Sequence, residues 1–262
     1  MSSPTPSRID SAPASHFAAS GRRLKSASGP TGLPAITPES RSIAKGEPPL
    51  DEYFNSLFTA FGPQHWWPGR TQFEVIVGAI LTQNTSWTNV ESAIADLRRE
   101  RLLSPGAIEA VPLRKLERLV RSSGYFRQKA RKLKAFCAFL RSEYGSSLKK
   151  MFASPTIVLR EKLLGIWGIG PETADSILLY AGQHPVFVVD AYTKRMLARH
   201  GWAGENPRYE DVRWMFERRF TGETQRFNEF HALIVHAGKN FCRKHDPSCG
   251  ECPLGRYLDE GR

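Results

Sequence analysis

Between residues 50 and 240 the apolar side chains return every three or four positions and almost never every second one. That period marks helices with one buried stripe, not strands lying half-exposed in a sheet. Residues 72–82 (QFEVIVGAILT) place Phe73, Ile76, Val77, Ile80 and Leu81 at helical spacing. Ser86 or Thr88 can cap a following helix whose inward positions include Val90, Ile94 and Leu97. Similar runs follow at 114–122, 128–144, 157–164, 171–181, 191–200, 209–220 and 227–240, with Pro, Gly and Ser breaking the pattern between them. No internal repeat is present, which excludes a solenoid. The predicted architecture is all-α.

The first 47 residues depart from this pattern. Ser, Pro, Ala and Gly dominate them, and too few large apolar side chains are available to offset the entropy of ordering. A flexible tail is therefore predicted over 1–47, and a folded region over 48–262. The tail has no hydrophobic core of a secretion signal; its Ser and Arg content faintly suggests an organelle transit peptide, but six prolines spoil an amphipathic helix. No uninterrupted apolar stretch approaches the roughly 20 residues a membrane span requires; the run from Pro185 to Asp190 is short and bounded by Pro and Asp. No membrane partner is expected, and a cytoplasmic, bacterial nucleoid-associated monomer is the expectation.

Charge adds a partner. Lys and Arg number 37 against 26 Asp and Glu, for a net charge of +11. The tail contributes six basic and three acidic groups, so eight of the eleven excess charges belong to the folded region. A basic fold with this balance favours a polyanion, nucleic acid first, although a basic surface can also serve solubility alone.

Candidate chemistry is concentrated in 163–194, LLGIWGIGPETADSILLYAGQHPVFVVDAYTK. Gly165, Gly168 and Gly170 form a Gly-x-x-Gly-x-Gly turn between two predicted helices, and Pro171 opens the second at a favoured first-turn position. Backbone N–H groups left free at such a helix start can hold phosphate oxygens without reading bases. A tight interhelical turn in which glycine is only permissive would look the same. Twenty residues beyond Gly170, Val188-Val189-Asp190 delivers a carboxylate at the end of an apolar stretch. Asp190 there reads either as a plain N-cap, worth about 1 kcal/mol, or as a functional anion.

The segment resembles the helix-hairpin-helix DNA glycosylases of the endonuclease III superfamily, whose signature is L-x-G-(V/I)-G-x-x-T-A followed by V-D-(T/A)-(H/Y). Residues 167–174 and Val189-Asp190-Ala191-Tyr192 match it, as do Leu81-Thr82-Gln83-Asn84-Thr85 and residues 124–130 (GYFRQKA), in order. The resemblance runs over roughly residues 50–255. It implies a two-lobed all-α fold with a C-terminal cysteine loop, the cleft lying between one lobe of 70–180 and another of 48–69 plus 181–240, with the loop at 241–262. It further implies base-excision repair of damaged double-stranded DNA. Asp190 would be catalytic, since breaking an N-glycosidic bond builds positive charge on the sugar that a carboxylate stabilises. Gly168, Gly170, Thr173, Gln83 and Lys194 would contact DNA, Gln83 filling the space left by the extruded base. Trp66, Trp67 and Trp87 would line the base pocket with Glu172, or simply pack in the core.

Two departures refine the resemblance. Bifunctional members carry a lysine at the position of Glu172, whose amine forms a Schiff base with the sugar. A carboxylate cannot do so, which predicts a monofunctional enzyme. Lys194, one helical turn past Asp190, is a possible substitute amine. Trp66-Trp67-Pro68 with an acidic residue at 172 is similar to the branch called 3-methyladenine DNA glycosylase III, whose substrates are alkylated purines. A bifunctional enzyme on oxidised pyrimidines and a non-catalytic DNA-binding protein remain alternatives.

The second departure concerns the cysteines. Cys242-x6-Cys249-x2-Cys252 reproduces three ligands of the family's iron–sulfur loop, but five residues on stands Leu258. Cys137 reads as a small buried apolar residue. Three readings stay open: a 4Fe–4S cluster with His245 or Asp259 as substitute ligand, a zinc site using His245, or a loop without metal. Lys239, Arg243, Lys244 and Arg256 would make the loop a phosphate-contacting flap in each case. No redox role is expected of a cluster.

Overall fold

A computed structural model describes residues 46–67 and 69–258. The predicted tail lies almost wholly outside them, as do Pro68 and Asp259. No strand occurs among the described residues, and no helix there is long and apolar enough to cross a membrane.

The helices are α1 (Leu50–Phe61), α2 (Gln72–Leu81), α3 (Trp87–Arg99), α4 (Pro105–Ala110), α5 (Leu113–Leu119), α6 (Phe126–Tyr144), α7 (Leu148–Phe152), α8 (Thr156–Leu164), α9 (Pro171–Ser176), α10 (Ala191–Arg199), α11 (Tyr209–Arg219) and α12 (Thr224–Asn240). The run predicted over 114–122 is broken, α5 giving way to a tight 3-10 turn at Arg121–Ser123. The run over 171–181 widens after α9 into a π turn, Ile177–Ala181, closed by a bond from Gly182 N to Ile177 O.

Helix α2 is the centre. Its residues from Phe73 to Leu81 are all buried, because α3, α6, α9 and the π turn pack around it. A helix apolar on every side has no solvent face to present. Its one buried carboxylate, Glu74, is paired with Arg98 at 2.7 Å. Lys129 of α6 buries its amine to donate to Leu81 O at 2.9 Å, meeting the free carbonyl at the end of α2, and burial lowers its pKa to about 8. The chain leaving α2 towards Gln83 is thereby anchored.

Helices α4, α5 and α7 pack on α6, while α1 and α10 pack on α12. Phe187, Phe216, Phe227 and Phe230 form the core of the second group, Phe187 and Phe216 stacking at 3.8 Å between ring centres. Buried aromatic side chains of this kind contribute roughly 1.5–3 kcal/mol each. Tyr53 of α1 joins His200 at 2.9 Å and accepts from Trp202 Nε1 at 2.9 Å, fastening α1 to the end of α10. The π turn touches both α2 and α12, and so links the two groups beside the segment that delivers Asp190.

Candidate active site

Helix α8 ends in a turn in which Gly165 N donates to Glu161 O and Ile169 N to Ile166 O at 3.0 Å, and α9 starts at Pro171. Of its three glycines, Gly168 is the one whose conformation demands glycine. Its φ is +79°, and a Cβ there would lie 2.7 Å from Lys132 Cε. Gly170 faces open space, with nothing within 4 Å of where a Cβ would be, so its backbone can be approached closely.

Lys132 runs across Gly168 and donates to Gln83 Oε1, while Gln83 Nε2 donates to Thr173 Oγ1. Gln83 is thus held between α6 and α9. Thr173 is buried, and its hydroxyl accepts from Gln83, so it supports Gln83 from α9.

Residues Val186 to Val189 are buried and belong to no helix, and Asp190 after them is extended. Phe187 N donates to Glu217 at 3.0 Å and Val189 N to the Tyr209 hydroxyl at 3.3 Å, which fixes the chain where it enters α10. Asp190 is the N-cap of α10: its Oδ1 accepts from Thr193 N at 2.8 Å and Thr193 Oγ1 at 3.0 Å. The capping role therefore uses one oxygen. The other, Oδ2, lies 3.6 Å from Nε2 of His231, and the side chain remains 13% exposed.

His231 was not evident from sequence. It lies on α12, buried, with Nδ1 bonded to the Tyr180 hydroxyl at 2.6 Å and Nε2 lacking a hydrogen-bond partner. Burial lowers its pKa, against the pull of Asp190, so the ring is neutral. Burial and the Asp190 charge push Tyr180 well above the ordinary phenol range, so its hydroxyl stays protonated beside Nδ1.

Glu172 completes the acidic pair. Burial raises its pKa to about 7, with Asp190 adding to the rise and Lys194 opposing it. The residue is itself exposed to solvent, while the surrounding protein displaces much of the bulk water that would otherwise favour the charge of its carboxyl. Lys194, half-buried on α10, is close enough for its charge to act on Glu172.

The three tryptophans meet. Trp67 packs edge-on to Trp87 at 5.1 Å and against Tyr180 at 5.0 Å, and Trp66 lies 5.5 Å from Trp67. All three are partly buried. Trp67 rests on Gly78, where a Cβ would come within 3.1 Å of its Nε1. Tyr180 touches both this cluster and His231, so an aromatic wall runs towards Asp190.

The family model described as HhH-GPD superfamily base excision DNA repair protein matches residues 77–221, from α2 through the glycine turn and Asp190 to α11. The chain belongs to this superfamily. A Methanocaldococcus jannaschii protein named as a candidate DNA repair glycosylase is 44% identical over 205 residues, 78% of this chain and 93% of that protein. A solved Helicobacter pylori 3-methyladenine DNA glycosylase (MagIII) bound to 1,N6-ethenoadenine aligns with a TM-score of 0.65 and 28% identity, covering 72% of this chain and 97% of its own. A non-covalent endonuclease III–DNA complex aligns with a TM-score of 0.70 and 25% identity, covering 81% and 94%. The molecule described here is a DNA repair glycosylase, and DNA is its partner.

In this HhH-GPD glycosylase Cys242, Cys249 and Cys252 line one cavity, together with Arg199, His200 and Leu258. Arg199 Nη1 donates to Cys242 Sγ at 3.0 Å, and Arg195 Nε to Cys242 O at 2.7 Å. Burial raises the Cys252 thiol, backbone N–H groups of Leu254 and Gly255 counter that rise, and Cys242 and Cys249 add to it. His245, a proposed fourth ligand from sequence, is exposed and not part of the cavity wall. Asp259 lies outside the described residues. Cys137 is buried on α6, its thiol pushed up to about 12 by desolvation, as suits an apolar filler.

Proposed function

We propose that this glycosylase is monofunctional and excises alkylated purines from duplex DNA, leaving an intact abasic site. The observation that carries the proposal is the pairing of Glu172 with Asp190 at the end of an aromatic wall. Where the resemblance to bifunctional members requires an amine, this chain has a carboxylate, and a carboxylate forms no imine. The ethenoadenine bound in the H. pylori relative is a modified purine, and Trp66, Trp67 and Trp87 offer such a base π-faces. A cationic purine gains roughly 0.5–2 kcal/mol from such faces relative to a neutral one.

The chemistry follows from charge. The N–C1′ bond breaks, its electron pair leaves with the cationic base, and the base departs neutral without needing an acid. Asp190 Oδ2 faces the positive charge left on the sugar. Water then attacks C1′, and Glu172 in its ionised form takes the proton. A pKa near 7 suits that task at neutral pH. Backbone N–H groups at Gly168 and Gly170 and the Lys194 amine hold phosphates around the flipped nucleotide, and Gln83 faces the gap in the stack.

Cys242, Cys249 and Cys252 line one cavity, but among the described residues no three Cys, His, Asp or Glu side chains are grouped to hold a metal ion, so the side chains present do not fit an iron–sulfur cluster and no step of the chemistry is routed through one.

One observation favours a second reading. Lys194 acts on Glu172, so an amine is near the carboxylate pair and could replace the missing lysine. Borohydride trapping separates the two. Duplexes bearing 3-methyladenine, 7-methylguanine, uracil, thymine glycol or mismatched adenine are incubated with enzyme, with and without borohydride. Release of the alkylated purines without a covalent adduct is expected, and Asp190→Asn abolishes it. An adduct overturns monofunctionality, and release confined to thymine glycol or uracil overturns the substrate class.

A further inference from the structure

Resting on the reading of Gln83 as the group that enters the gap left by the flipped nucleotide, we infer that Lys132 is a positioning residue for that step. Its ammonium holds the Gln83 side chain in one conformation before the strand arrives, and its methylenes tie that side chain to the glycine turn.

Two lysines three residues apart on α6 anchor the chain that leaves α2. Lys129 donates to Leu81 O at 2.9 Å and Ser123 O at 2.5 Å, which fixes the main chain two residues before Gln83. Lys132 does the same for the side chain: its Nζ donates to Gln83 Oε1, and Gln83 Nε2 donates to Thr173 Oγ1 at 2.5 Å. An ammonium has three donors and no acceptor, so the carboxamide atom that faces it must be the oxygen. The direction of the carboxamide is thereby set, with buried Thr173 as its second support. An unrestrained glutamine samples many rotamers, and ordering it only after the strand has bound would subtract from the gain of filling the gap.

Lys132 does not behave as a lysine kept for charge alone. Its neighbours Arg127 and Arg131 are exposed, whereas Lys132 is half-buried across Gly168. A Cβ on Gly168 would lie 2.7 Å from Lys132 Cε and 2.9 Å from Cγ, so the lysine stem occupies the space that the missing side chain leaves. Burial lowers its pKa, and no carboxylate among the described residues opposes that shift. The ammonium thus gives up hydration for an amide oxygen. One side chain thereby touches the turn that would grip phosphate and the glutamine that would fill the stack, so the two act as a unit.

Single-turnover release is measured for the base of the panel above that wild type frees fastest, in one duplex opposite its normal partner and in another opposite a tetrahydrofuran abasic analogue. Lys132→Met keeps the stem over Gly168 and removes the ammonium. Its rate on the paired duplex should fall about tenfold, with DNA affinity by fluorescence anisotropy held. On the analogue duplex, where no partner base is orphaned, the loss should shrink to about twofold or less, which a merely structural role would not produce. In a Gln83→Ala background Lys132→Met should add no further loss. An unchanged rate on the paired duplex overturns the inference, as does an equal loss on both duplexes or a loss that persists without Gln83. Weakened affinity with an unchanged rate makes Lys132 a phosphate contact instead. Gln83→Ala at full rate on the paired duplex overturns the reading of Gln83 itself, and the inference with it. If Lys132→Met does not fold, Lys132→Ala is read by the same outcomes.

Discussion

Asp175→Asn tests whether a buried carboxylate on α9 holds the wall from which Asp190 projects. Asp175 is 0% exposed and accepts from Arg160 Nε at 2.6 Å and Nη2 at 3.0 Å. The Tyr209 hydroxyl faces it and in turn receives Val189 N at 3.3 Å, one residue before Asp190. Burial raises the Asp175 pKa, and the bond and charge of Arg160 oppose that rise without overcoming it, so the pair offsets only part of its own desolvation cost. Removing one charge leaves the other uncompensated. Asparagine keeps the shape and one acceptor, but the Arg160 guanidinium, 13% exposed, is left with Glu210 at 2.7 Å, a carboxylate 41% exposed.

Breaking a buried pair outright costs about 3–5 kcal/mol. Since Glu210 still compensates part of the guanidinium charge, the expected loss is about 2–3 kcal/mol, or about 4–12 °C in Tm for a chain of this size. Thermal unfolding followed by circular dichroism at pH 7 measures it. Single-turnover base release should fall further than stability alone explains, because Tyr209 loses its anchor and Val189 its fixed acceptor. DNA affinity should hold, since the glycine turn is untouched. An unchanged Tm would refute the idea that this pair is a structural keystone, and an unchanged rate would refute its link to Asp190.

Three further outcomes are expected. Glu172 has a folded-state pKa raised from 4.5 to about 7, so the stability it contributes is present below about pH 4.5 and lost as pH rises through about 7; Glu172→Gln should flatten that part of the stability–pH profile and remove an inflection near pH 7 from the rate of base release. Matching pH profiles for variant and wild type would count against the assignment. His231→Phe removes the group facing Asp190 Oδ2 and should lower the single-turnover rate about tenfold, roughly 1.4 kcal/mol of barrier, with DNA affinity unchanged; loss of affinity without loss of rate would contradict it. Gly168→Ala forces a left-handed alanine, costing about 1–2 kcal/mol, and crowds Lys132; DNA binding measured by fluorescence anisotropy should weaken, and full affinity would rule out the turn as a phosphate grip.

Most of the fold was legible because its long helices carry their period openly. Phe73, Ile76, Val77 and Ile80 mark α2, and Val90, Ile94 and Leu97 mark α3. Helices α4 and α7, of six and five residues, are too short for a 3.6-residue period to repeat, and their existence depends on packing against α6. The π turn at Ile177–Ala181 has no period of its own in an uninterrupted apolar run, so 171–181 reads as one regular helix. Ser86 sits at the N-cap of α3 as the sequence suggests, yet its side chain makes no capping bond.

The site divides differently. Groups that act on a ligand, such as Asp190, Glu172 and the tryptophans, sit in short local patterns that chemistry makes recognisable. Groups that hold them do not. His231 lies in FNEFHALIV, where one histidine on an apolar face reads as core, and its partner Tyr180 is 51 residues away in sequence. Nothing local in the sequence shows that the Lys132 methylenes cover Gly168 or that the Thr173 hydroxyl meets Gln83. Each of these pairs spans distant helices, and no local period encodes such a contact. Burial then sets the chemistry: His231 is neutral because α12 removes it from water, and Glu172 titrates near 7 because the groove does so in part and Asp190 repels its charge. The Glu172 carboxylate, plain in the sequence, thus acquires its raised proton affinity only when the protein closes around it.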